Sequence, residues 1–268
     1  MNLSKEDLKK IKDTDHIWLL LDYDGTLADF APTPDDVIPD PELIALIKKL
    51  VNHPKLSLAI ISGRRLAHIE KLVPLSGIWL AGSYGLEMRA PHGEHLHRAN
   101  YGSLRPQLEA LKPEWANLID GQDGFYLEDK GWSLALHARF AEDCLASRIL
   151  AHARTLAEQT CSELKFQLLG GHKFLEIAPK QADKGNTVTY LLQQKKALPI
   201  YLGDDDKDER AFLVVQANGG LAGCVCNPAR SSQADFQLTS PQDTRVWLAR
   251  LPDYLREKSG QSINPEIR

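Results

Sequence analysis

The stretch "HIWLLLDYDGTLADF", His16 to Phe30, sets Asp22 and Asp24 directly after the apolar run Ile17 to Leu21. Carboxylates placed so closely repel: two like charges about 4 Å apart cost roughly 4 kcal/mol even at an effective dielectric of 20. Such charge is either used in a reaction or neutralised by a cation. Three distant segments carry groups that bear on the pair: Ser62 in "ISGR", Lys184 in "ADKGN", and the acidic run "GDDDKDE" from Gly203 to Glu209. Taken singly, each has a plain structural reading. A D-G pair after a strand is a common hairpin turn, the acidic run a solvated turn, Ser62 a strand-end turn residue and Lys184 a surface lysine near a helix start. Neither acidic segment is a calcium loop. An EF-hand needs glycine at its sixth position, where counting from Asp22 or Asp204 gives Leu27 or Glu209.

Elements able to bring these groups together are legible around them. "IWLLLD", "LSLAIIS", "GIWLAG", "PIYLGD" and "GLAGCVCN" read as buried strands, and "PDPELIALIKKLVNH" places Leu43, Ile44, Ile47, Leu50 and Val51 at helical spacing. Alternation of this kind predicts a doubly wound α/β core, a parallel sheet with helices on both faces. Ligands of such sheets bind outside the carboxyl ends of the strands. Asp22, Ser62 and Asp204 all fall at those ends. From about Met88 to Pro179 the pattern changes to strands of alternating polarity around one Ala-rich helix, an α+β insertion. The expected division is a core of residues 1–88 and 181–268 and an inserted unit of 89–180, with hinges near Arg89 to Gly93 and Lys180 to Asp183.

Composition narrows the partners. The chain has 268 residues, 43% hydrophobic and 25% charged, enough for a large core or two modest domains. Lys and Arg total 32 against 36 Asp and Glu, a formal charge of -4, so no basic surplus points to nucleic acid or an anionic membrane. A small molecule is the expected partner. Cys144, Cys161, Cys224 and Cys226 match neither a disulfide framework nor a zinc site and read as reduced packing residues. The charged N-terminus precedes an apolar run too short for a signal sequence or a membrane span, so a cytoplasmic location is expected. The polar "REKSGQSINPEIR" at the C-terminus reads as frayed.

The order of the motifs adds more than any one of them. "DYDGT", "SGR" beginning 40 residues later, "DKGN" and "YLGDDDKDE" resemble the four motifs of the haloacid dehalogenase-like superfamily. With "GSYGLE", "LEDKGWSLALHAR", "FLEIAP" and "GDDDKDERAF" the chain resembles trehalose-6-phosphate phosphatases over most of residues 17 to 250. The resemblance implies a Rossmann-like hydrolase core with an αβ cap inserted after the second motif, and bound Mg²⁺. It implies Asp22 as nucleophile, Asp24 as general acid and base, Ser62 and Lys184 as phosphate-contacting groups, and Asp22, Asp24, Asp204 and Asp208 around the metal. Two positions depart from the family pattern, Tyr84 where "G-x-H-G-x-E" has histidine and Lys207 where "G-D-D-x-T-D-E" has threonine.

For the sugar, the alternation of "SLALHARF" puts Ser133, His137 and Arg139 on one face, opposite Leu134, Leu136 and Phe140. Glu128 and Lys130 are likewise two apart. By resemblance Glu128, Lys130, His137, Arg139 and Glu176 bind glucosyl hydroxyls, and Arg64 bridges core and cap. The expected activity is phosphate release from a sugar phosphate, with trehalose 6-phosphate first and a glucosylglycerate or sucrose phosphate second. A binding subunit of a sugar-phosphate synthase without turnover is a third reading, and a functional link to such a synthase accompanies all three.

Overall fold

A computed structural model describes residues 3–30, 37–171, 173–228 and 230–256. Its elements run α1 (Lys5–Asp13), β1 (Ile17–Leu21), α2 (Pro41–Val51), β2 (Leu56–Ile61), α3 (Leu66–Leu72), β3 (Trp79–Gly82), β4 (Glu87–Arg89), β5 (His95–His97), α4 (Tyr101–Ile119), β6 (Tyr126–Asp129) and β7 (Leu134–His137). They continue with α5 (Asp143–Thr160), β8 (Phe166–Gly171), β9 (Phe174–Pro179), α6 (Lys184–Leu192), β10 (Leu198–Gly203), α7 (Glu209–Ala217), β11 (Leu221–Val225), β12 (Phe236–Leu238) and α8 (Pro241–Arg256).

The larger sheet has eight strands in the order β12-β11-β10-β1-β2-β3-β4-β5. Pairing is parallel from β12 to β3, as the apolar runs predict. Every residue of β1 is buried because both faces are covered. Ile17, Leu19 and Leu21 pack with residues of α1, α2, α3 and α8, whereas Trp18 and Leu20 pack with residues of α6 and α7. Full burial of such a side chain contributes about 1.5–3 kcal/mol, so the central strand is anchored from both layers. Helix α2 starts where Asp40 accepts the N–H groups of Glu42 and Leu43 and Pro41 presets the first turn. Its buried residues Leu43, Ile47 and Leu50 follow the helical stripe read from the sequence.

Chain order reverses at β1. The path from β1 runs outward to β2 and β3 on one side, and β10, β11 and β12 lie on the other. The carboxyl ends of β1 and β10 therefore border a topological switch point, where ligands of open α/β sheets bind.

Between the two halves lies an antiparallel sheet of four strands, β6-β7-β9-β8, covered on one face by α4 and α5. Leu104, Leu108, Leu111 and Trp115 of α4 and Ile149, Ala153 and Ala157 of α5 pack on Leu134, Leu136, Leu175 and Ile177. Two helices stand where one was expected. Pro106 and Pro113 lie inside α4 and mask its signal, since proline removes an intrahelical donor; the buried stripe outweighs that cost. The expected start of the insertion at residue 89 falls inside a hairpin, because β4 and β5 extend the larger sheet antiparallel to β3. Arg89 to Gly93 is accordingly its turn rather than a hinge: Gly93 has φ +94° and its N–H donates to Ala90. Phe140 does not share the buried face of β7; it lies past the strand end and is 70% exposed. Cys144 is exposed rather than packed, whereas Cys161 and Cys224 are buried, and none of the four cysteines is bridged. The C-terminal stretch from Glu257 lies outside the described residues. Among the described residues no helix is long and apolar enough to cross a membrane.

Candidate active site

Asp22, Ser62 and Asp204 each stand one residue beyond the neighbouring strands β1, β2 and β10, and so emerge side by side. Asp22, buried, is held by its own N–H donating to Leu202 and by the Thr26 hydroxyl donating to its carboxylate at 3.3 Å. Lys184, the first residue of α6, reaches between two carboxylates, 2.7 Å from Asp22 Oδ1 and 2.6 Å from Asp208 Oδ1. Burial alone would lower the lysine's pKa, but the charges of Asp208 and Asp22 outweigh it and raise it well above the ordinary value. Lys184 is therefore a fixed cation.

Carboxylate oxygens of Asp22, Asp204 and Asp208 lie within 4.8 Å of one another. Burial, then the charges of Asp205 and Asp208, push the Asp204 carboxyl up to about 7. Burial also raises Asp22 well above the usual range, against the opposing charge of Lys184. Three carboxyls thus share one lysine, and the raised values of Asp22 and Asp204 show that holding their charge there is costly without a further cation. Hard oxygen donors in this number suit Mg²⁺. Gly25 keeps the space beside them open: its φ is +77°, and a Cβ there would stand 2.3 Å from Asp204 Oδ2.

The members of the cluster are not equivalent. Asp208 Oδ1 accepts from Lys184 and from the Tyr201 hydroxyl at 2.6 Å, and Oδ2 accepts the N–H groups of Asp204 and Asp205 at 3.0 and 3.1 Å. Each oxygen is already shared by two donors, so Asp208 shapes the loop that presents Asp204. Arg230 grips the same loop from outside, donating to the carbonyls of Asp204 and Asp205 at 3.1 and 2.9 Å. No local motif announces Arg230 or Tyr201; only the fold brings them here.

Asp24 is clasped bidentately by Arg64, at 2.6 Å from Nε and 2.7 Å from Nη2. Arg64 thus orients Asp24, its charge also helps to lower the pKa of Glu128 in the inserted unit, and Arg65 reaches that unit as well, 3.8 Å from Asp129. Buried Ser62 accepts the N–H of Arg64 at Oγ, 3.1 Å, which orients its hydroxyl. Glu87, the last residue of "GSYGLE", accepts the N–H of Leu66 and the Ser83 hydroxyl, steadying the start of α3.

On the small sheet Glu128, Ala135 and Glu176 lie in register across β6, β7 and β9 and share one face. His137 Nε2 is 3.1 Å from Glu128. Burial pushes the Glu128 carboxyl up, but the His137 hydrogen bond and the charge of Lys130 outweigh it and hold it below the ordinary range. Glu176 is wholly buried and takes Lys130 at 3.2 Å, Ser133 at 2.6 Å and the Tyr84 hydroxyl at 2.7 Å. Arg139 lies past the end of β7, exposed, its guanidinium 6.0 Å from the Phe140 ring centre. A cleft of ≈ 250 Å³ lined by Tyr84, Lys184, Lys207, Arg210 and the β8 segment 167–170 opens beside Lys184.

This geometry has counterparts. A family model described as Trehalose-phosphatase matches residues 20–242. The trehalose-phosphate phosphatase of Mycobacterium tuberculosis is 32% identical over 248 residues, 89% of this chain and 62% of that protein. That of Mycobacterium ulcerans is 31% identical over 246 residues, 88% of this chain and again 62% of that protein. The chain thus spans 62% of the length of these curated relatives. Among solved structures, the C-terminal domain of trehalose-6-phosphate phosphatase from C. albicans superposes with a TM-score of 0.81 at 23% identity, covering 92% of this chain and 95% of that one, a likeness of fold.

Proposed function

The chain belongs to the trehalose-phosphatase family, and from that premise we propose that it is a Mg²⁺-dependent phosphatase hydrolysing trehalose 6-phosphate to trehalose and phosphate through an aspartyl-phosphate. The observation that carries this reading is the meeting of Asp22, Asp204 and Lys184 at the switch point of the parallel sheet. Phosphate monoesters are among the slowest substrates to hydrolyse in water, with accelerations by enzymes reaching ∼10²¹. Several effects must therefore act together.

In this reading Asp22 attacks phosphorus in line, its carboxylate oxygen forming the new P–O bond as the bond to the sugar oxygen breaks. Asp24, aimed by Arg64, gives its proton to the departing oxygen and then takes one from the water that cleaves the acyl phosphate. Lys184 and the Ser62 hydroxyl offset charge on the phosphoryl oxygens. Asp22, Asp204 and the Asp24 carbonyl would hold Mg²⁺, which, when bound, screens the phosphate from the carboxylates. Asp208 keeps Lys184 and the Asp204 loop in place.

We place the core at residues 1–98 and 181–268 and the cap at 99–180, after the β4–β5 hairpin. Glu128, Lys130 and His137 face the core from the cap and would meet sugar hydroxyls, offering acceptors and donors together. A phosphorylated disaccharide is supplied by glycosyl transfer onto a sugar phosphate, so a sugar-phosphate synthase is the functional neighbour. Four unbridged cysteines and a phosphorylated metabolite suit the cytoplasm. The test is phosphate release by the parent protein and by Asp22→Asn, which should lower turnover by a factor on the order of 10⁴. Equal turnover by the variant would remove Asp22 as nucleophile.

A further inference from the structure

Tyr84 and Lys207, the two positions that depart from the motif pattern, meet in space. Lys207 Nζ lies 5.8 Å from the centre of the Tyr84 ring and 4.8 Å from that of Phe174, with Asp205 as its ionic partner at 3.5 Å. The Tyr84 hydroxyl donates to Glu176 Oε2. Phe174 and Glu176 are two apart on β9 and share a face. Side chains from two loops of the larger sheet therefore grip one strand of the smaller.

The grip is built in at some cost. Ser83 and Tyr84 have φ of 50° and 57°, a left-handed pair without glycine, at about 1–3 kcal/mol each. Contacts on several sides enforce it. The N–H of Ser83 donates to Arg64, that of Tyr84 to Ser62, and the Thr187 hydroxyl to the Tyr84 carbonyl. Gly63, in the same loop as Ser62, leaves room for the ring: a Cβ there would stand 2.8 Å from it. Tyr84 is thus tied through its backbone to the loop of Ser62 and to α6, the helix that Lys184 starts, and through its hydroxyl to β9. Glu176 in turn holds Lys130.

We infer that Tyr84 and Lys207 are positioning residues that set the cap at a fixed height over Asp22, Tyr84 through its hydrogen bond to Glu176 and Lys207 through its seat on the Tyr84 and Phe174 rings. The inference rests on the phosphatase reading for its substrate, but not for the tie itself. Substrates placed by the cap need this height. A small aryl phosphate held by the core alone does not.

Tyr84→Phe is the test, since it removes the O–H and keeps the ring on which Lys207 sits. With trehalose 6-phosphate the KM should rise about tenfold, equivalent to about 1.4 kcal/mol, while kcat/KM for p-nitrophenyl phosphate stays within about twofold. Lys207→Met should do less in the Tyr84→Phe background than alone, because both residues fix the same cap height, which loss of the O–H has already loosened. An equal fall on both substrates would mean general damage and overturn the inference. A second measurement needs no substrate: the distance between spin labels on Cys144 of α5, which is exposed, and on a cysteine replacing exposed Leu213 of α7, with Cys226→Ser to limit labelling. The distribution should be narrow in the parent and broad in Tyr84→Phe. One that Tyr84→Phe leaves unchanged overturns the tie whatever the substrate. Broadening in a protein whose parent does not turn over trehalose 6-phosphate upholds the tie and removes the substrate reading.

Discussion

Arg64 and Asp24 illustrate what a side chain's partner decides. The guanidinium of the arginine in "SGR" closes on both oxygens of Asp24. Arg64→Ala should therefore act through the proton transfer, lowering kcat by about 10²-fold, within the range for general acid–base groups, with KM for the sugar phosphate little changed. Steady-state kinetics separate the roles, since a raised KM with kcat intact would make Arg64 a sugar contact. Asp22, Ser62, Lys184 and Asp204 were legible because strand and helix ends concentrate polar groups after apolar runs. The partners that orient them were not. Arg64 lies 40 residues from Asp24 and Arg230 26 from Asp204, and nothing local marks either pairing.

At the scale of elements, the parallel strands and α2 were legible from apolar runs and a helical stripe with a capped start. Helix α4 and the β4–β5 hairpin were not: two prolines interrupt one, and the other has strands of three residues, too short for periodicity to register. Beside its buried stripe, α4 is held to the small sheet by Arg105, bidentate to Asp129 at 2.7 and 2.8 Å, with Lys112 at 2.9 Å. The Arg105 hydrogen bonds, first among the causes, hold the Asp129 carboxyl well below its ordinary range against burial. A carboxyl depressed in the folded state contributes stability above its unfolded pKa of about 3.9 that is lost as pH falls toward the folded value. Asp129→Asn should thus melt below the parent at pH 7, and the gap in Tm should close as pH drops below about 4. Thermal melts across that interval check it. A gap that stays constant would show that charge pairing is not what Asp129 contributes.

At the scale of the whole molecule, the proposed function assigns chemistry and selection to separate sheets. The parallel sheet carries the aspartates and Lys184, and the antiparallel one faces them with Glu128, Lys130 and His137. Closure of such a pair excludes water and positions the leaving group. Under the proposed function the reaction class belongs to the core and the choice of sugar to the cap, where Glu176 is filled by Tyr84, Lys130 and Ser133. The most direct measurement is initial-rate phosphate release from trehalose 6-phosphate beside glucose 6-phosphate and sucrose 6-phosphate, each with Mg²⁺ and with a chelator. The expected result is a strong preference for trehalose 6-phosphate that chelation abolishes. Metal-independent release, or no release from any of the three, would contradict it.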